Sequence, residues 1–338
     1  MKRVGACVLA LCCAAGAIAQ QRPHYTQYIM NQYVINPALS GIESYIDVRA
    51  SHRRQWVGLE GAPLTTYVTI QGPIGKQDSR VSPTGVAREG VNPRGSEYWM
   101  NYSTPAPHHG VGVQILQDVT GPLSRSSIMG TYAYHLGLNP NLTLSGGIGV
   151  GMTKINLDIS KLRFEQANDP SVYQNTISDQ WKPDLSAGIY LYSSDFFAGI
   201  SAQQVVPQTV AFGENTLRKE DGKLVPHLFA TAGYRLLLGE DFNFTPSVMA
   251  KYLSPLPLQW EINGKLQYRD FLWVGASYRV QDGFAGMLGI NVSNRFNVGY
   301  SYDYTTSALN AFTKGTHEFV VGLLLNNSYG DSCPRNVW

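Results

Sequence analysis

The segment LQWEINGKLQYRD, residues 258–270, decides the fold, because polar and apolar side chains alternate along most of its length. Side chains two residues apart lie on the same face of a β-strand, so a repeat of two predicts a strand rather than a helix. The apolar face carries Trp260, Ile262, Leu266 and Tyr268, together with Gly264. The polar face consists of Gln259, Glu261, Asn263, Lys265, Gln267 and Arg269.

The same alternation recurs along the chain and predicts about fourteen strands. Many of these segments have about 9–11 residues, the length that a tilted strand needs to cross a bilayer, whereas strands of soluble proteins usually have about 5–6. The predicted strands lie near residues 45–52, 65–71, 111–118, 127–136, 141–152, 185–193, 196–203, 228–238, 242–252, 259–269, 271–280, 284–292, 295–304 and 317–325.

The links between these strands alternate in length. Those after even-numbered strands are mostly short, and those after odd-numbered strands are mostly longer, among them 119–126 and 204–227. Short periplasmic turns and longer outer loops are typical of outer-membrane barrels. An even strand count then predicts that both termini lie in the periplasm. Residues 72–110 follow the second strand and break the rule, which indicates either an insertion facing the periplasm or a missed pair of strands.

These features predict an all-β fold, a transmembrane antiparallel β-barrel of about 14 strands of the outer-membrane type. In hydrocarbon every backbone N–H and C=O must be paired, and closure of the sheet achieves this. The apolar face then contacts membrane lipid, and the polar face lines a lumen. A soluble β-sandwich or a propeller also alternates and stays open as an alternative, although no repeat of roughly 40–50 residues is visible.

The chain divides into four predicted parts. Residues 1–19 read as a secretory signal peptide, with Lys2 and Arg3 before an apolar run and a small-x-small cleavage site. A lipoprotein signal at Cys7 is a weaker alternative. Residues 20–44 form an N-terminal periplasmic or plug segment, residues 45–325 form the barrel with its insertion at 72–110, and residues 326–338 form a tail.

Charge and cysteine content narrow the function classes. Charged residues make up 15% of the chain, below the ~25% of a typical soluble domain. Cleavage after residue 19 removes two basic residues and no acidic one, so the formal net charge changes from +2 to 0, and a nucleic-acid partner is not indicated. Of the four cysteines only Cys333 would remain, so no intrachain disulfide is expected.

The sequence indicates no enzyme, no cofactor and no metal. No esterase elbow, zinc-protease, phosphate-loop or EF-hand motif is present. The glycines of 146–151 are better explained as small lumen-facing residues of the fifth strand. His108 and His109 are adjacent in a predicted loop without a third ligand nearby. We therefore expect a non-enzymatic protein.

Two segments offer candidate partner contacts. Residues 24–41 hold large apolar and aromatic side chains in a polar frame, which a disordered tail does not need, and we expect them to fill the mouth of the barrel. Residues 53–64 place two arginines before a tryptophan, a plausible partner anchor. Inward packing of this tryptophan at the barrel rim is an equal alternative. The candidate contact residues are Tyr25, Tyr28, Asn36, Pro37, Arg54 and Trp56.

Six short motifs are spread along the chain. They are QYxxNQYxxNPAxSG at 27–41, RRQWVG at 53–58, GAPxT at 61–65, GVGVQILQD at 110–118, GYSYDYTTSAL at 299–309 and GTHEF at 315–319. With these motifs the chain resembles the PorP/SprF family of outer-membrane proteins of the type IX secretion and gliding motility machinery. The resemblance spans nearly the whole mature chain, although residues 76–108 are longer than the family pattern.

The resemblance implies a non-enzymatic barrel of the secretion apparatus. Its implied partners are periplasmic ring lipoproteins or secreted adhesin-like cargo, in addition to membrane lipid. An outer-membrane porin or transporter for small solutes is the main alternative, and an outer-membrane enzyme is a weaker one.

Overall fold

The computed structural model describes residues 25–76, 104–158, 161, 181–206, 208–209, 223–239, 241–269, 271–293 and 295–327. Three regions for which the sequence makes predictions lie outside these residues. They are the signal peptide at 1–19, most of the insertion (77–103), and the tail from residue 328 onward with Cys333.

Fourteen antiparallel strands form one closed barrel, which confirms the predicted fold. Each strand pairs with its sequence neighbours, and the sheet closes where β1 pairs with β14, from Ile46 opposite Leu325 to Arg54 opposite His317. The strands are β1 (Ile46–Arg54), β2 (Leu64–Ile74), β3 (His108–Thr120), β4 (Leu123–Asn139), β5 (Leu142–Leu157), β6 (Trp181–Tyr192), β7 (Phe196–Gln203), β8 (His227–Tyr234 and Leu236–Leu238), β9 (Phe242–Leu253), β10 (Gln259–Tyr268), β11 (Leu272–Arg279), β12 (Gly283–Ser293), β13 (Phe296–Thr305) and β14 (Thr316–Leu325).

The outer surface of the barrel is apolar, and the inner surface is mainly polar with a group of apolar side chains that packs against residues 25–35. Along β10, Ile262 is 55% exposed, whereas Glu261 and Asn263 beside it are each 3% exposed. Soluble proteins bury their apolar side chains, and an apolar band around a closed barrel is the arrangement that lipid requires. The burial pattern therefore excludes the soluble sandwich and propeller alternatives.

The two ends of the barrel differ in their connections. At the turn end, β4–β5, β6–β7, β8–β9, β10–β11 and β12–β13 are joined by two or three residues. At the loop end, residues 55–63, 158–180, 204–226 and 306–315 make the long links. A two-residue ladder, Gln208–Thr209 with Lys223–Leu224, lies within the third of these.

One predicted loop is wrong. Residues 119–126 form a tight turn, in which only Gly121 and Pro122 separate β3 from β4. The left-handed φ of Gly121, +57°, suits this turn. Asp118 lies opposite Arg125 in the register of these two strands. At these strand ends, side chains of both faces are half-buried, so polar and apolar residues do not alternate in the sequence there.

Residues 25–44, the inner segment, lie within the lumen. They form three short turns of 3-10 helix, Thr26–Ile29, Gln32–Val34 and Pro37–Leu39, before the chain enters β1. Almost every side chain of the segment is buried, and Thr26, Gln27 and Ala38 have no exposed surface. The core of the molecule is therefore the interface between this segment and the barrel wall.

Candidate functional site

The inner segment runs through the lumen from one end of the barrel to the other. Thr26 contacts Asp303 and Glu318, which lie at the loop end of β13 and β14. Ser40 contacts His135, which lies at the turn end of β4. The chain therefore enters the lumen at the loop end, crosses it, and turns into β1 at the turn end.

A buried cluster of charges holds the segment at the loop end. The carboxylate of Glu318 accepts hydrogen bonds from the backbone N–H groups of Thr26 at 2.9 Å and Gln27 at 3.3 Å. Arg53 donates to Glu318 at 3.0 Å, to Asp303 at 2.7 Å and to the Thr26 hydroxyl at 2.7 Å. The Thr26 hydroxyl in turn donates to Asp303 at 2.6 Å. Charge-assisted hydrogen bonds among buried groups are stronger than neutral ones, so this anchor fixes the start of the inner segment.

A second pair of charges extends the cluster along the wall. Arg279 of β11 pairs with Glu261 of β10 at 3.0 Å and with Asp282 at 2.8 Å, and lies 3.7 Å from Asp303. Glu261 is the polar neighbour of Asn263, whose amide contacts the hydroxyl of Tyr28. Arg279 and its carboxylates are thus paired with one another, and Thr26 and Tyr28 of the inner segment meet this cluster through neutral groups.

Side chains of the wall bind the backbone of the inner segment midway along the lumen. Gln203 donates to the carbonyl oxygens of Val34 and Ile35, each at 3.0 Å. Gln114 donates to the carbonyl of Tyr33 at 2.8 Å, and Arg49 donates to that of Met30. Each of these bonds satisfies a buried backbone acceptor that a segment without strand pairing would otherwise leave unpaired.

Two stacked histidines close the turn end. The rings of His108 and His135 lie with centroids 4.5 Å apart and nearly parallel. Since a carbonyl only accepts, Nε2 of His135 donates to Ser40 O at 2.8 Å. His108 lies between two carbonyl oxygens, Gly41 O at 3.1 Å from Nε2 and Ala106 O at 2.9 Å from Nδ1, and a neutral ring donates to one of them. Ser145 donates to the carbonyl of Ala38 at 2.6 Å.

Glycines of the wall allow the backbone of the inner segment to approach closely. A Cβ on Gly147 would lie 2.5 Å from the Cα of Ala38, whereas one on Gly146 would have no neighbour within 4 Å. A Cβ on Gly110 would lie 1.7 Å from the carbonyl oxygen of Ser40. This agrees with the sequence-based reading of Gly147 as a small lumen-facing residue, while Gly146 faces outward.

We expect the substitution Gly147→Val to displace the inner segment, because its Cβ would overlap the backbone of Ala38. Overpacking typically costs about 1–3 kcal/mol, which would raise the open population of the lumen by about 5- to 150-fold. Conductance of the purified barrel in planar bilayers measures this population. The matched control is Gly146→Val on the same strand, and equal conductance of the two variants would contradict the prediction.

The candidate contact residues separate into two groups. Tyr25, Tyr28, Asn36 and Pro37 are buried in the lumen, where Tyr25 packs edge-on against Tyr67 at 5.4 Å. The amide of Asn36 donates to Ile189 O at 3.2 Å, and its oxygen caps the turn at Ala38 N at 3.0 Å.

Arg54 and Trp56 belong to the loop end instead. Arg54 is exposed, and Trp56 is half-buried in the link 55–63. That link is bound to residues 313–316: Trp56 N donates to the Thr316 hydroxyl at 3.1 Å, and Val57 N donates to Gly315 O at 2.8 Å. The structure does not bring these two residues together with the four in the lumen.

The structure adds residues that the sequence-based list omitted, namely Arg49, Arg53, Asp303 and Glu318. The alternation of polar and apolar residues could have identified the two arginines as inward-facing, because positions 47, 49, 51 and 53 of β1 lie on one face and carry Asp, Arg, Ser and Arg. His108 and His109 also obey alternation. They begin β3 rather than lying in a loop, with His108 facing inward and His109 outward against Tyr132.

Within the described ranges, no group of three or more His, Cys, Asp or Glu side chains is placed to hold a metal ion. No helix among the described residues is long and apolar enough to cross a membrane.

A closed barrel with an apolar exterior and a polar lumen is a membrane protein of the outer-membrane type. The sequence profile of the family described as "Type IX secretion system membrane protein PorP/SprF" matches residues 17–323. The chain belongs to this family, as its motifs indicated.

Solved structures of outer-membrane proteins are similar in fold. Omp33 of Acinetobacter baumannii is 10% identical, with 85% of this chain and 100% of that chain covered and a TM-score of 0.46. The toluene transporter TbuX of Ralstonia pickettii is 9% identical, with 89% and 93% covered and a TM-score of 0.46. The monoaromatic hydrocarbon channel CymD is 11% identical, with 89% and 92% covered and a TM-score of 0.48. These similarities are too low to carry an argument about function, and no curated protein matches the chain.

Proposed function

We propose that the protein is a non-enzymatic outer-membrane component of the type IX secretion and gliding machinery that binds protein partners. Family membership supports the setting. The occupied lumen is the observation that favours partner binding over solute transport, since the inner segment is anchored at both ends and almost all of its side chains are buried among the described residues of the wall. The candidate partners are periplasmic ring lipoproteins and secreted cargo domains.

We propose that the turn end faces the periplasm, as in other outer-membrane barrels. The even strand count does place Ile46 and Leu325 at the same end, where they pair. The prediction that both termini lie on one side, however, took account only of the number of strands and not of the path of the chain before β1. Because the inner segment runs back through the lumen, Tyr25 lies at the end opposite to Leu325, and we propose that it faces the cell exterior.

Cross-linking in native membranes tests the proposal. The chain, tagged at its C-terminus, is cross-linked, purified and analysed by mass spectrometry. We expect ring lipoproteins or secreted cargo to be recovered with it. A known complex, tagged and cross-linked in the same membranes, serves as the positive control. Recovery of the barrel alone, when the control complex is recovered intact, would contradict partner binding.

The exposed candidate Arg54 allows a sharper version of this experiment. Arg54→Ala is expected to reduce recovery of a partner that binds the loop end, and to leave recovery of a partner at the turn end unchanged. His52→Ala is the matched control, because His52 is also exposed on β1 and points to the same side. Equal recovery of every partner by both variants would remove Arg54 from the contact surface.

A further inference from the structure

The wall of the lumen makes many of its hydrogen bonds to the backbone of the inner segment. Side chains of five strands donate to backbone carbonyls of this segment, and two further wall residues, Glu318 and Gln71, accept from its backbone N–H groups. The carbonyl acceptors are those of Met30, Tyr33, Val34, Ile35, Ala38 and Ser40. Every polypeptide carries such groups, so these bonds do not depend on which side chains the segment carries.

The side chains of the segment are matched to the wall by charge and by polarity. Residues 25–42 contain no charged side chain. Several buried charges of the wall form pairs, Arg53 with Asp303 and Glu318 and Arg49 with Asp47, while the buried carboxylate of the inner segment, Glu43, lies outside residues 25–42. Apolar side chains such as Ile29 and Val34 pack against apolar wall residues. The lumen therefore suits an uncharged polypeptide, and a buried charge on the occupant would lack a partner of its own.

The inner segment is also held by interactions that form without strand pairing. Its regular structure is limited to single turns of 3-10 helix of three or four residues. Such turns are weak by themselves, so the wall supplies most of the contacts that keep the segment in place. No strand of the barrel pairs with the inner segment, so its release leaves every strand paired.

We propose that the lumen wall is a binding site for an uncharged polypeptide segment, recognised through its backbone, and that residues 25–42 are the occupant which the chain itself supplies. A segment of a second protein replaces this occupant when the inner segment leaves. The proposal rests on the proposed function for its biological setting, in which the second protein is a secretion partner or cargo. Peptide binding to the purified barrel requires no such partner. A negative result in this experiment therefore contradicts the peptide site alone, and a negative result in the membrane cross-linking contradicts the proposed function alone.

The test uses the full chain with Glu318→Gln, which weakens the loop-end anchor but keeps a hydrogen-bonding side chain at that position. A labelled peptide of residues 25–42 with a photoreactive group in place of the Tyr33 side chain is added to the barrel in detergent. We expect saturable binding, and cross-links to the wall near Gln114 and Thr131, which contact Tyr33. Wild-type chain, with its own segment anchored, should bind the peptide much more slowly.

Two further peptides and one further barrel variant test the chemistry of recognition. An unrelated uncharged peptide of equal length, with proline at the position of Pro37, should bind within about tenfold of the native peptide, because lost side-chain hydrogen bonds are individually modest. A peptide with Val34→Lys should bind at least about 100-fold more weakly, since it buries a charge without a partner. The native peptide should itself bind more weakly to a barrel that also carries Gln203→Ala.

Several outcomes would overturn the proposal. Cross-links confined to the loops or the outer surface would do so, as would binding of the native peptide alone among the uncharged peptides. Absence of binding, when conductance shows that the inner segment has left the lumen, would do the same. If the Glu318→Gln chain does not fold, Thr26→Ala removes the hydroxyl contacts of the anchor, keeps all wall charges paired and is tested identically.

Discussion

Replacing Glu318 with alanine is expected to open the lumen and to destabilise the folded barrel. The substitution removes the acceptor of the Thr26 and Gln27 backbone N–H groups and one of the two carboxylates that pair with Arg53. Breaking a buried ion pair costs about 3–5 kcal/mol, because the remaining charge stays desolvated. If this cost falls on the closed state of the lumen alone, the open population rises by about 150- to 5,000-fold.

Two measurements separate the effects of Glu318→Ala. Conductance in planar bilayers reports the opening of the lumen, and the temperature at which heat-modifiable gel mobility is lost reports the stability of the barrel. The control is Glu60→Ala, because Glu60 is an exposed glutamate in the link 55–63. A Glu318→Ala barrel that conducts and melts like the Glu60→Ala barrel would show that the loop-end cluster does not anchor the inner segment.

Replacing Ile262 with arginine is expected to destabilise the barrel in a membrane by about 2–4 kcal/mol, the cost of a charged side chain facing lipid near the bilayer midplane. Ile262 lies near the middle of β10 and is 55% exposed on the apolar outer face. The measurement is reversible unfolding by guanidinium chloride in lipid vesicles, followed by tryptophan fluorescence.

The control for Ile262→Arg is Phe312→Arg. Phe312 is 70% exposed, but it lies in the link 306–315 at the loop end, outside the strands. We expect little change in the unfolding free energy of this variant, since residue 312 lies outside the strands whose outer faces contact lipid. A loss of stability in the Phe312 variant as large as that in the Ile262 variant would contradict the assignment of the outer strand faces to lipid.

The fold was predictable because alternation reports directly on a wall with lipid on one side and polar groups on the other. Segment 259–269 and strand β10, Gln259–Tyr268, agree within one residue. The lengths of β3, β4 and β5 were less predictable, since these strands reach 13, 17 and 16 residues and extend beyond the lipid band. Backbone pairing continues there, while the contrast between the two faces disappears.

The candidate site was only partly predictable, for two physical reasons. The aromatic and apolar composition of residues 24–41 indicated a packed segment, but no local pattern sets its direction, which depends on contacts as distant in sequence as Thr26 with Asp303 and Glu318. The pairing of Arg53 with these two carboxylates depends on the closure of the sheet between β1 and β14. Sequence alone gives the inward face of each charge, but not which charges meet.

The position of the inner segment also constrains the order of folding. The first and the last strand pair around a stretch of chain that precedes both, so this stretch avoids threading the finished lumen only if it lies inside before the two strands pair. Thr26 is bound by residues of β1, β13 and β14, which lie at or beside the closure of the sheet. The inner segment therefore offers a core around which the sheet closes. A bulky folded domain fused upstream of Tyr25 would have to pass to the far mouth before closure, and we expect such fusions to stall as unclosed sheets.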